Sequence, residues 1–130
     1  MGMSGLISIA LGGALGALSR YGVSIYANRW AMQWGWNFPL GTFTANILGS
    51  FLFGFLMGLI LKISAPNDSL KLFVFTGFLG AFTTFSTFSF ETVSLIQTGH
   101  WSTALLSILA NVVGCLLALF AAMKLVALLG

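Results

Sequence analysis

The chain has 130 residues, 58% of them hydrophobic and 5% charged, and a formal net charge of +3. Soluble domains carry about a quarter of their residues as charged side chains, so a water-solvated globule is excluded and lipid is the natural solvent. The five basic residues, Arg20, Arg29, Lys62, Lys71 and Lys124, are scattered, which argues against a nucleic-acid surface. The single cysteine, Cys115, gives no intrachain disulfide and no zinc-ligand spacing. The length suits one domain spanning residues 1–130.

A membrane-spanning helix needs about 20 mostly apolar residues. Four stretches meet this, at roughly 5–30, 39–63, 70–97 and 102–129. The segment 1–16 lacks a basic n-region and a clear cleavage site, and reads as the start of the first mature helix. Pro39 suits the first turn of the second helix, where its missing N–H costs nothing. The run Ser64-Ala65-Pro66-Asn67-Asp68-Ser69 is a turn, with Ser69 expected to cap the third helix. Gln97-Thr98-Gly99-His100 is the second break. Trp30, Trp34, Trp36 and Trp101 fall at predicted helix ends, where indoles favour the membrane interface. Strands fit poorly, because membrane barrels need short alternating segments rather than long apolar runs.

Four spans place Lys62, Lys71 and Lys124 on one side and Arg29 on the other, with Arg20 deeper in the first helix. Basic residues in short loops set topology. A bias this small leaves two readings open, one orientation or insertion in both. Gly12 with Gly16, and Gly54 with Gly58, form small-residue seams that let backbones approach closely. Such seams serve packing within one chain or between copies. Four short helices alone barely enclose a polar pathway, so a conducting protein of this size is expected to oligomerise.

Polar atoms in lipid are expensive, so their positions carry information. The densest group is Thr83-Thr84-Phe85-Ser86-Thr87-Phe88-Ser89, midway along the third span and just after Gly77 and Gly80. Hydroxyls compete for helix hydrogen bonds and glycines weaken helices. The spacing predicts a break here, and broken backbone at membrane depth belongs inside protein or beside a water-filled cavity. Freed carbonyls offer the oxygen ligands that hard cations prefer. The alternative is an unbroken helix whose hydroxyls bond back to the preceding turn.

Phe85 and Phe88 lie three apart, on nearly one face. Their ring edges carry positive potential, which suits a small anion without trapping it, although phenylalanines in such a chain also simply pack. Ser107, Asn111 and Cys115 follow at i, i+4 and i+8 on the fourth helix, a stripe of donors or of interhelical contacts. Asn46 is a lone amide at membrane depth, able to donate to an anion or to tie helices together. Arg20 either draws anions toward a vestibule or snorkels to the interface. Glu91, one turn beyond Phe88, is either neutral and proton-donating or ionised and paired.

With these residues in place the chain resembles the small bacterial fluoride channels, the Fluc or CrcB proteins. The resemblance is carried by Gly12-Gly13-Ala14-Leu15-Gly16-Ala17-Leu18-Ser19-Arg20-Tyr21, by Pro39-Leu40-Gly41-Thr42 with Ala45-Asn46 and Gly49-Ser50-Phe51, and by Asn111 and Gly114. Its most specific part is Thr76-Gly77-Phe78-Leu79-Gly80-Ala81-Phe82-Thr83-Thr84-Phe85-Ser86-Thr87-Phe88-Ser89, followed by Glu91. It covers essentially the whole chain. It implies an all-α integral membrane protein of the bacterial inner membrane, with four transmembrane helices, the third broken near its middle, assembled as an antiparallel dual-topology homodimer. It implies passive, selective fluoride export and fluoride resistance, with no catalytic step. By position, Phe85 and Phe88 would correspond to the family's aromatic fluoride box and Asn46 to its pore asparagine. Ser86 and Thr87 join them in the hydroxyl run, and Ser107, Asn111 and Cys115 would fall on the polar track. Cys115 departs from the Tyr or Ser usual there and is a weaker donor. Glu91 and Arg20 match charged positions along or near the pathway. Gly80 and Thr83 would supply main-chain carbonyls to a structural sodium ion at the dimer centre.

The competing reading is a proton-coupled exporter of the small multidrug type, which shares the size and helix number. That type relies on an embedded glutamate in the first helix, where this chain has Arg20 and no acid. A non-transporting scaffold explains the glycine seams but not the hydroxyl cluster. His100 sits in a predicted loop with no metal or nucleophile constellation near it in the sequence, which disfavours an enzyme.

Overall fold

A computed structural model describes residues 2–62 and 67–129. Among the described residues, four helical spans are long and apolar enough to cross a membrane: Met3–Gln33, Leu40–Ile60, Asp68–Gln97 and Trp101–Leu128. The first is α1 (Met3–Gln33) and the second α2 (Leu40–Ile60). The third is composite. It begins as α3 (Asp68–Lys71), winds into a π-helix over Leu72–Leu79, closes with α4 (Gly80–Phe82) and resumes as α5 (Phe85–Gln97). The fourth is α6 (Trp101–Leu128).

The helix ends agree with the sequence to within about a turn, and two caps differ from it. Ser69 does not cap α3. Asn67 does, its side chain accepting from the Leu70 N–H at 3.1 Å. The chain is already helical by Asp68, so Ser69 lies inside the first turn, too late to serve its free N–H groups. The rest of the expected turn, Ser64 to Pro66, lies outside the described residues. Pro39 is the residue before α2 rather than inside its first turn. The α5–α6 hairpin closes as a Schellman motif, with the His100 N–H on the Leu95 carbonyl and the Gly99 N–H on the Ile96 carbonyl. Gly99 takes φ +82°, which glycine reaches without a Cβ penalty.

The up-and-down order gathers Trp30, Trp34, Trp36 and Trp101 at one end of the bundle and Lys62, Lys71 and Lys124 at the other. Trp30 and Trp36 pack edge to face at 5.5 Å. The lysines are engaged locally. Lys62 donates to the Val126 carbonyl, Lys71 pairs with Asp68 at 3.4 Å, and Lys124 sits 5.5 Å from the Phe120 ring centre.

The glycine seams are used within the chain. A Cβ on Gly12 would run into the Phe73 carbonyl, and one on Gly16 into the Phe78 carbonyl. Those glycines are four apart on an α-helix and the carbonyls five apart on a π-helix, one turn in each case, so the two backbones mesh. Gly54 lets α2 approach the Leu119 carbonyl of α6 in the same way. With no hydrophobic drive between helices in lipid, such backbone contact is what holds the bundle. The outer surface is correspondingly apolar, with Leu11, Leu18, Leu109, Leu116 and Phe120 exposed.

Candidate functional site

The third span breaks at Thr83 and Thr84. Thr83 is extended (φ −85°, ψ 156°), and so is Thr84 (φ −151°, ψ 115°). The expected break is present and the unbroken helix is not, although some hydroxyls do bond back. Thr83 and Ser89 bond back one turn, to the Leu79 carbonyl at 3.0 Å and the Phe85 carbonyl at 2.9 Å. Thr84 restarts the helix. Its Oγ1 accepts from the Thr87 N–H at 3.2 Å and donates to Thr87 Oγ1 at 3.0 Å, while Ser86 Oγ lies 3.4 Å away.

Breaking a helix frees carbonyls, and here they can be followed. The Thr84 N–H, which would have closed on the Gly80 carbonyl, instead meets Asn46 Oδ1 at 2.8 Å. The Thr87 N–H, which would have closed on the Thr83 carbonyl, is taken by Thr84 Oγ1. The Ala81 carbonyl accepts Arg20 Nε at 3.1 Å. The Gly80 and Thr83 carbonyls are thus the two whose helical donors are diverted to side chains. Arg20 reaches the break from α1, which does not line the hollow described next.

Against the break, α2, α5 and α6 frame an open hollow of about 460 Å³. Asn46, Thr83, Phe85, Phe88, Asn111 and Cys115 all reach it. The Phe85 and Phe88 rings are 5.4 Å apart at 57°. Phe88 is 7% exposed and Phe85 76%, so one ring is fixed in the chain and its neighbour projects from it. Asn46 Nδ2 donates to the Thr84 carbonyl at 3.2 Å and to Asn111 Oδ1 at 3.0 Å, which engages both of its hydrogens within the protein. Asn111 Nδ2 gives one hydrogen to the Ser107 carbonyl at 3.0 Å, leaving its second for the hollow. Cys115 is a free, half-buried thiol. The wall is mostly apolar, with Phe53, Val112, Leu116 and Leu119 beside these few donors, and beyond that thiol it holds no ionisable side chain.

Glu91 and Ser107 are not on this wall. Glu91 opens on a second hollow of about 250 Å³, nearer the tryptophan end, with Asn37, Ser94 and Thr98. Its carboxyl lies beside Thr42 of α2, which is 4% exposed. Ser107 is fully buried. Ser86 is exposed and Thr87 half-buried on the first turn of α5.

Two participants escaped the sequence reading. Thr84 carries the cap and both backbone bonds to Asn46, and the general preference for threonine at a helix start could have flagged it. Thr42 meets Glu91 across 49 positions of sequence, and nothing local announces it.

The sequence matches the family described as CrcB-like protein, Camphor Resistance (CrcB), over residues 7–123. A relative from Legionella pneumophila (strain Lens), named fluoride-specific ion channel FluC, is 46% identical over 114 residues, covering 88% of this chain and 83% of the relative. One of the same name from Magnetococcus marinus is 48% identical over 112 residues, covering 86% and 89%. A third, from Anaeromyxobacter sp. (strain K), is 44% identical over 124 residues, covering 95% and 96%.

Proposed function

This chain belongs to the CrcB-like family, and from that membership we propose that it is a passive fluoride channel of a bacterial membrane, which it crosses several times. One observation carries the reading furthest. A helix broken at membrane depth is braced by an amide and opens onto a hollow where neutral donors meet the Phe85 and Phe88 rings, with Phe53 and aliphatic side chains completing the wall. Fluoride is small and strongly hydrated, so it must find close replacements for its water shell. Amide and hydroxyl hydrogens and phenyl edges provide these without a full charge that would hold the ion. In this reading Phe85 and Phe88 flank the ion, Asn111 donates its free N–H, and Asn46 fixes the break. Cys115 adds a donor to the hollow, Ser86, Thr87 and Ser107 carry the polar track beyond its wall, Glu91 stands at the second hollow, and Arg20 holds the break through the Ala81 carbonyl. A negative interior expels an anion with about 2.3 kcal/mol per charge per 100 mV, so no other energy source is needed.

The hollow is open on the chain's own surface, and Phe85 projects from it. A second, antiparallel copy would close it, and that is the assembly we assign. The small excess of basic side chains at one end suits insertion in both orientations. The diverted Gly80 and Thr83 carbonyls fit a sodium ion at the centre of that dimer, since hard cations take oxygen ligands. A bound sodium would fix the break and offset its exposed carbonyl dipoles.

The proton-coupled exporter is not favoured. Its single candidate acid, Glu91, stands off the main hollow, and the relatives named above are channels. The deciding experiment is fluoride efflux from liposomes holding the purified protein, with valinomycin present so that potassium leaves with the anion. Fast fluoride loss with chloride retained is the expected outcome. No fluoride loss from folded protein would reject the channel.

A further inference from the structure

Three buried side-chain oxygens have no hydrogen-bond partner among the described residues: Glu91 Oε2, Thr92 Oγ1 and Ser107 Oγ. They lie at one level of the bundle. Glu91 and Thr92 are neighbours on α5, and the tight hairpin at Gly99 turns α6 back alongside. Counting equal helical rises away from that turn brings Ser107 level with both. Among the described residues α5 packs against α2 and α6 alone, so whatever α5 buries is buried between those two helices. Thr92 is 7% exposed and Ser107 0%.

A helical serine or threonine in lipid ordinarily gives its proton to the carbonyl one turn back. Thr83, Ser89 and Ser94 do so at 2.9–3.0 Å. Thr92 and Ser107 do not. Buried polar groups are almost always paired, and an orphaned set points to an occupant. The position is suggestive as well. Ser107 is one turn from Asn111, which reaches the first hollow, and Glu91 opens on the second. Thr92 and Ser107 line neither hollow, and a neck joining the two would pass them.

We propose that Thr92 is a further residue of the conduction pathway, its hydroxyl pairing with that of Ser107 to bind one small hydrogen-bond acceptor in this neck. Water fills the site at rest, and fluoride, of similar size and also an acceptor, replaces it in transit. Glu91 accepts a hydrogen from the water and, as a carboxylic acid, gives one to the anion. Nothing in the aromatic pair or the amide brace uses Thr92. The inference rests on the fluoride-channel reading.

The test compares fluoride efflux from liposomes for the wild type, Thr92→Val, Thr92→Ser, Ser107→Ala and the Thr92→Val/Ser107→Ala double variant. Valine keeps the shape of threonine and removes the hydroxyl; serine keeps the hydroxyl. Thr92→Val is expected to slow fluoride roughly tenfold, the order set by losing one hydrogen bond to a charged group. Thr92→Ser should stay near the wild type, and the double variant should be little slower than the slower single one, because both hydroxyls serve one site. Thr92→Val at wild-type flux, or Thr92→Ser as slow as Thr92→Val, overturns the proposal. Should Thr92→Val not fold, an experimental density map of the wild type decides. A peak bridging Thr92 Oγ1 and Ser107 Oγ supports the site, and a dry neck overturns it. A wild type that does not conduct overturns the channel reading itself; a conducting wild type with an unaffected Thr92→Val overturns this inference alone.

Discussion

Asn46 grips Thr84 from both sides, its Oδ1 accepting from the Thr84 N–H at 2.8 Å and its Nδ2 donating to the Thr84 carbonyl at 3.2 Å. The side-chain amide thus stands in for the peptide groups that an unbroken helix would have supplied. This is why extended backbone persists at membrane depth, where an unpaired peptide group is costly.

Asn46→Leu removes that grip and also the donor to Asn111 Oδ1. Each polar group left unpaired in a buried site costs about 1–3 kcal/mol. We expect thermal stability in detergent to fall by at least about 2 kcal/mol and flux to vanish with it. An unchanged melting curve would show that water satisfies Thr84 and that the amide is not a brace.

Gly12→Ala and Gly13→Ala should part company. The first places a methyl against the Phe73 carbonyl, a backbone atom that cannot move aside alone; the second meets only the Gly77 carbonyl, at 4.0 Å. Gly12→Ala should therefore yield little folded protein by size-exclusion chromatography, and Gly13→Ala a normal amount. Equal yields would mean that α1 and the π-helix are not meshed as described.

Phe85→Ile and Phe88→Ile should both cut fluoride flux, by roughly tenfold or more if each ring edge replaces part of the ion's hydration. Their stability effects should differ. Phe88 is buried, so its truncation costs about 1–3 kcal/mol, whereas Phe85 is exposed within the chain. Folded variants of both that conduct at the wild-type rate would remove the rings from the pathway.

Arg20→Lys keeps the charge and loses the Nε–H on the Ala81 carbonyl. If charge alone mattered, flux would be unchanged. The geometry predicts a several-fold loss, because lysine carries a flexible point charge rather than a planar fork. Restoring flux with lysine would assign Arg20 to attraction of the anion instead.

Replacing sodium by N-methylglucamine throughout purification should weaken dimer stability and flux together, and returning sodium should restore both. If both quantities stay constant after thorough sodium removal, the Gly80 and Thr83 carbonyls have another purpose.

The break was legible because its causes are local. Gly77 and Gly80 lower helix propensity, and Thr83 and Thr84 compete for backbone bonds within a few residues. The spans and their ends were legible for the same reason, through apolar length, tryptophans and the Gly99 turn. The π-helix over Leu72–Leu79 was not, since its residues are ordinary helix and membrane residues and its register answers to Gly12 and Gly16, some 60 positions earlier. The double engagement of Asn46 was equally hidden. An amide's chemistry can be read from sequence, but whether its hydrogens are free depends on Thr84 and Asn111, which only folding brings near. The same holds for Thr92, where a helical threonine gave no hint that its hydroxyl would be left unpaired.

The bare side of α5 has a bearing on dosage. If the antiparallel pair proposed above is the conducting unit, closing the open hollow beside α5 takes a second protomer, so assembly obeys mass action in the plane of the bilayer. While protomers are scarce, conducting units should accumulate as the square of the copy number; once pairing saturates, they should rise in proportion to it. A lightly expressed gene would then yield inert single chains, and tolerance of the anion would set in at a threshold of expression rather than climb smoothly from zero.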